Sequence, residues 1–148
     1  MGARETFEEA ARAARKLPAV ESELAALGES WRRGEWLGSG ARGWHGDPTS
    51  AKASYRMGRS AALEQERESL TATVDEARTL ARGVGELLGT SYGDALTLRY
   101  LKGHQWQQVA DRMGVSVSTA HNRVNAALDT IDGLGAARVR QARGVAAD

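Results

Sequence analysis

The chain has 148 residues, enough for one ordinary domain or for a small domain with an extension. Leu, Ile, Val and Phe together number only 25 while Ala, Glu and Arg abound, which points to helices with thin apolar seams and away from sheet. The absence of cysteine excludes a disulfide frame and a cysteine zinc site, and a formal net charge of only +1 argues against indiscriminate nucleic-acid binding.

Charge is unevenly placed: −1 over residues 1–36, +3 over 37–60, −3 over 61–90 and +2 over 91–148. The first residues, Met-Gly-Ala-Arg-Glu-Thr-Phe-Glu-Glu, lack a hydrophobic signal core, and no apolar run approaches the length of a membrane span. A soluble, cytoplasmic protein with no membrane partner is expected.

From about Arg4 to Arg33 the pattern is helical, with Phe7, Ala10, Ala14, Leu17, Leu24 and Trp31 at spacings of three and four. Thr6 and Glu9 have the spacing of a capping box, which leaves Arg4 and Glu5 outside the helix. Pro18 suits the first turn of a second helix, so two segments are predicted, 6–16 and 18–33.

Residues 34–48 hold five glycines before Pro48 and read as a loop. Gly38-x-Gly40-x-x-Gly43 copies the dinucleotide fingerprint in letters only, because neither the strand nor the βαβ unit that the fingerprint needs is there. Trp36 and Trp44 are expected to fold back over the helix ends. A sticky contact made with Arg42 is the other reading.

From Thr49 or Ser50 to about Leu88 runs one long helical pattern. Leu63, Leu70, Ala77 and Val84 recur every seven residues, with Val74, Ala81 and Leu88 alternating between them, which is a coiled-coil-like stripe. Its natural partner is the N-terminal segment folded back, or the same helix of a second chain, giving a possible homodimer through residues 50–88. Gly83, Gly85 and Gly89 are expected to mark the end of the helix.

A short helix follows over 92–102, with Asp94 as its cap and Gly103 closing it. Trp106, Val109, Ala110 and Met113 then fall on one helical face, Gly114 suits the left-handed turn that ends a helix, and Ser116 suits an N-cap. His104 is read as the cap of that first helix. Ala120, Val124, Ala127, Leu128 and Ile131 line the next helix, so residues 104–131 form a helix-turn-helix. The second helix turns Ser118, Thr119, His121 and Asn122 outward, side chains that can meet base edges where a merely solvated helix carries Glu and Lys. Arg123, Gln105 and Lys102 are assigned to phosphates.

Arg99-Tyr100-Leu101, Trp106-x-x-Val109-Ala110, Gly114-Val115-Ser116, Thr119-Ala120, Arg123-Val124 and Ala127-Leu128 together resemble region 4 of bacterial sigma factors. They resemble more specifically the sigma-like phage and prophage regulators of the ArpU/RinA type. The resemblance covers roughly residues 93–131. It implies a compact trihelical unit that binds double-stranded DNA and regulates phage or prophage late genes alongside host RNA polymerase. The recognition helix departs from the sigma pattern at Val117, His121, Asn125 and Ala126, where sigma factors carry more charge. No segment resembles the helices that melt promoter DNA, so sigma activity proper is not expected.

The sequence thus predicts an all-α chain. Residues 1–90 form a helical hairpin or coiled-coil-like segment, 91–132 the DNA-binding helix-turn-helix, and 133–148 a flexible basic tail. His45, Asp47, His104 and His121 lack metal-ligand spacing and no nucleophile motif is present, so neither an enzyme, a metal nor a cofactor is predicted. Two other functions stay open: a phage DNA-packaging recognition subunit resembling small terminases, and a helical protein-interaction module without DNA binding.

Overall fold

The computed structural model describes residues 2–32 and 48–143, with side chains over 2–29 and 53–143. Every regular element among them is helical: α1 (Ala3–Arg32), α2 (Pro48–Leu88), α3 (Thr90–Leu96) with a π-helical turn (Thr97–Leu101), α4 (Trp106–Met113), α5 (Val117–Leu134) and α6 (Ala136–Arg140). Trp36, Arg42, Trp44, His45 and Asp47, together with the Gly38–Gly43 motif, lie outside the described residues. The chain divides into two units, one made of Met1–Ala14 with Ala72–Asp148, the other of Arg15–Thr71. That division differs from the predicted break near residue 90.

The larger unit has a mixed core of small and large side chains. Phe7, Leu80, Val84, Leu96, Val124, Leu128, Ile131 and Val139 are buried together, and the Phe7 ring tilts against Tyr100 at 5.6 Å between centroids. The first turns of α1 therefore belong to the same core as the recognition helix. Thr6 is not a cap; its hydroxyl donates to the Gly2 carbonyl at 3.1 Å from within the helix. The cap comes from far along the chain, where Asp132 Oδ1 accepts from the Ala3 N–H at 2.8 Å. A carboxylate there satisfies an orphan amide and meets the positive end of the helix dipole.

Instead of the two predicted segments, α1 is one helix that contains Pro18. Proline has no N–H for the carbonyl four residues back, here Ala14, and that is the residue at which the larger unit's stretch of α1 ends. Packing on both sides of it outweighs a propensity cost of about 3 kcal/mol.

Helix α2 ends at Leu88 before Gly89, where its pattern predicts, and runs through Gly83 and Gly85 on the way. Gly83 serves close approach: a Cβ built there would lie 2.0 Å from the Val139 carbonyl oxygen of α6. The predicted flexible tail is accordingly ordered over 136–143. Val139 is fully buried, Arg82 donates to the carbonyls of Arg140 (2.8 Å) and Ala142 (3.3 Å), and Arg140 pairs with Glu76.

In the same unit Ala77, Ala81 and Val84 of the seven-residue stripe pack into the chain's own core. That part of the stripe is unavailable to a second chain. Leu88, its last member, is 39% exposed.

The smaller unit is the remainder of α1 with the first half of α2. Its described buried side chains are Val20, Leu63 and Arg56, while Tyr55 and Met57 are about two-thirds exposed. Glu23 and Arg59 join its two helices, with Nη2 to Oε1 at 2.7 Å and Nε to the same oxygen at 3.2 Å. Glu23 raises the Arg59 pKa above its ordinary value through that hydrogen bond and its negative charge.

Candidate nucleic-acid interface

The helix-turn-helix is assembled by local chemistry. Gln105, in extended conformation, precedes α4, and its N–H donates to Gln108 Oε1 at 2.9 Å. Gln105 therefore holds the cap position assigned to His104, whose carbonyl instead accepts from Arg99 Nη1 at 3.1 Å. The predicted cap Asp94 lies exposed inside α3, which begins at Thr90 after Gly89.

Gly114 ends α4 in the left-handed conformation, φ 68° and ψ 34°, as its spacing predicts. The Val115 N–H returns to the Ala110 carbonyl at 3.0 Å. Ser116 then caps α5, its Oγ accepting from the Thr119 N–H at 3.1 Å. Val109, Ala110 and Ala120 are buried together where the two helices cross, with Leu98, Met113, Val115 and Val117 packed around them. Two alanines at the crossing let the backbones approach closely and fix the angle at which α5 is presented.

Trp106 packs against both buried clusters on the face its spacing predicts. It is half-buried, with the Arg99 guanidinium 4.6 Å from its ring centroid and the His121 imidazole stacked at 3.6 Å and 24°. His121 was expected to face bases; its ring face is taken up by this stack. Thr119 is also tied down, accepting from the Ser116 hydroxyl at 2.9 Å.

Ser118 and Asn122 stand exposed on α5, and Asn125 and Asp129 continue the same face at helical spacing. Lys102 and Arg123 are brought together around a cleft between α3, the π-helical turn, α4 and α5, lined also by Asp94, Arg112 and Met113. Arg123 lies half-buried with its guanidinium 5.9 Å from the Tyr92 ring centroid. Gln105 is exposed at the start of α4, outside this cleft.

Sequence reasoning missed Arg112 and Arg4. The basic residue in the last turn of α4 was a readable signal for Arg112, two residues before the glycine. Arg4 carried none: its Nη2 donates to Asn125 Oδ1 at 3.2 Å across 121 positions of sequence.

Among the described residues no cluster of His, Asp and Glu is arranged to hold a metal, and no helix is long and apolar enough to cross a membrane. Residues 86–131 match a family model described as Sigma-70, region 4. No curated protein and no solved structure matches the chain. The matched segment runs from the last turn of α2 to Ile131 and is a sigma region 4-like helix-turn-helix. Outside the match lie Phe7, Leu80, Val84 and Val139, which complete its core.

Proposed function

We propose that this chain is a sequence-specific DNA-binding transcriptional regulator of the phage or prophage type, working with a host RNA polymerase and not as a sigma factor in its own right. The observation that carries the reading is the exposed face of α5. Ser118, Asn122 and Asn125 offer hydrogen-bonding groups without the Lys and Glu of a merely solvated helix. In this reading Ser118 and Asn122 meet base edges. Lys102, Arg112 and Arg123 meet phosphates on one side, and Gln105 meets one at the start of α4. Ser116 and Thr119 hold the helix start, and His121 sets the edge of the reading face through Trp106.

The test is a gel shift against fragments of the DNA that flanks the coding sequence, with Asn122→Ala and Arg123→Ala. Asn122→Ala is expected to lose discrimination by about 1–3 kcal/mol at one base pair. Arg123→Ala is expected to weaken all fragments alike. Unchanged binding by both variants removes the assignment.

The light charge of the unit favours use in pairs. The Arg15–Thr71 unit supports this, since among its described residues Tyr55 and Met57 stand exposed and are left to offer a second copy. Sedimentation mass separates the readings: a dimer fits a regulator, and a large ring would favour a DNA-packaging subunit.

A further inference from the structure

Along α5 the only basic residue is Arg123, and it stands on one edge of the helix. Asn125 is two positions on, about 200° around the helix, and so lies toward the opposite edge. On that side the charges of α5 are acids, Asp129 on the reading face and Asp132 beyond Asn125. A helix lying in a groove meets a phosphate strand on either side, so a reader with cations on one edge alone is half equipped.

The chain supplies the missing cation from its other end. The Asp132 carboxylate pins the start of α1 through the Ala3 N–H at 2.8 Å, and Ala3 and Phe7 are buried in the core beneath. One residue on from that anchor, Arg4 is exposed and its guanidinium donates to Asn125 at 3.2 Å. This contact uses one of five N–H donors, so the fork retains donors for a second acceptor. Asp132 is itself occupied by the α1 amide, which offsets the acid nearest this anchor.

We infer that Arg4 is a DNA-phosphate contact on the Asn125 edge of the recognition helix, placed there by the docking of α1. The inference rests on the DNA-binding reading above and names a residue outside the matched segment as part of the same interface. Arg123 and Arg4 then meet the two strands that flank one groove. Asn125 orients Arg4 and is oriented by it.

The experiment measures anisotropy of a short fluorescein-labelled duplex of mixed sequence across a potassium chloride series. It uses the full chain and Arg4→Ala, Arg4→Lys and Arg12→Ala. Losing one phosphate contact lowers the slope of log K against log salt by about 0.9, or roughly eightfold in affinity near 0.1 M salt. Arg4→Ala is expected to show that loss with an unchanged circular dichroism spectrum, while Arg4→Lys keeps the slope as a point charge. Arg12→Ala removes an exposed charge from the same helix and is expected to keep the slope too. An Arg4→Ala slope equal to that of the parent chain overturns the inference and leaves DNA binding standing. Equal losses for Arg4→Ala and Arg12→Ala also overturn it, by reducing the effect to net charge. A parent chain that binds no duplex removes both readings together.

Discussion

The two units of the chain draw on the same two long helices and bury very different amounts. In the larger, α1 and α2 meet four further elements, and Phe7, Leu80, Val84, Leus 96 and 128, and Val139 fill the space between them. In the smaller, Val20 and Leu63 are the described apolar side chains taken fully from water. Each buried aliphatic or aromatic side chain contributes roughly 1.5–3 kcal/mol, so among the described residues the first unit carries by far the larger apolar stabilisation. A continuous helix does not make a uniform structure. Stability follows the core, and the reader head sits where the core is.

The largest effect that tests this contrast is at Phe7, which is fully buried. Phe7→Ala is expected to cost about 3–5 kcal/mol in thermal or urea unfolding and to abolish duplex binding with it. Amide exchange across 86–131 is expected to speed up in the variant, although the substitution lies outside that segment. If exchange there is unaltered, the helix-turn-helix is autonomous and α1 is merely attached to it.

Gly83→Ala makes a narrower break. A Cβ 2.0 Å from the Val139 carbonyl oxygen meets backbone, which cannot rotate away. Alanine gains helix propensity of up to about 1 kcal/mol in α2, yet overpacking against α6 is expected to leave a net loss of about 1–3 kcal/mol. Limited trypsin digestion reads the event directly, through faster cleavage after Arg138 and Arg140 in the variant. An equal cleavage rate would mean that α6 does not hold the tail down.

How much of this was legible in the sequence depends on the range of the contacts. The helix-turn-helix is specified within its own residues 104–131: Gly114 for the left-handed turn, Ser116 for the cap, Ala110 and Ala120 for the crossing. Period and capping rules work on neighbours, so those features could be read. Several of the differences concern partners distant in sequence. Thr6 looked like a cap because Asp132 was invisible, the close approach at Gly83 was hidden because Val139 was, and the tail looked flexible because Glu76 was. The stack of Trp106 on His121 was hidden for a different reason: apolar period places a ring on a face but not at a depth or against a given neighbour. Arg4 and Arg112 were missed because a charge on an amphipathic helix reads as solvation until its neighbours are known.

The smallest expected effect lies in the thin unit. Glu23 and Arg59 are each nearly half exposed, and their ion pair is the kind that water and salt screen. Arg59→Ala is therefore expected to move the melting midpoint by no more than its experimental scatter at low salt, and by nothing at high salt. Arg59 stays protonated throughout the working range, since Glu23 raises a pKa that is already high, so no pH step from the arginine accompanies the change. A shift comparable to that of Phe7→Ala would show that Arg15–Thr71 is held by polar contacts where its apolar seam is short. The contrast between the units would then be one of kind, with one built on burial and the other on charge, and salt would tune the second while leaving the first alone.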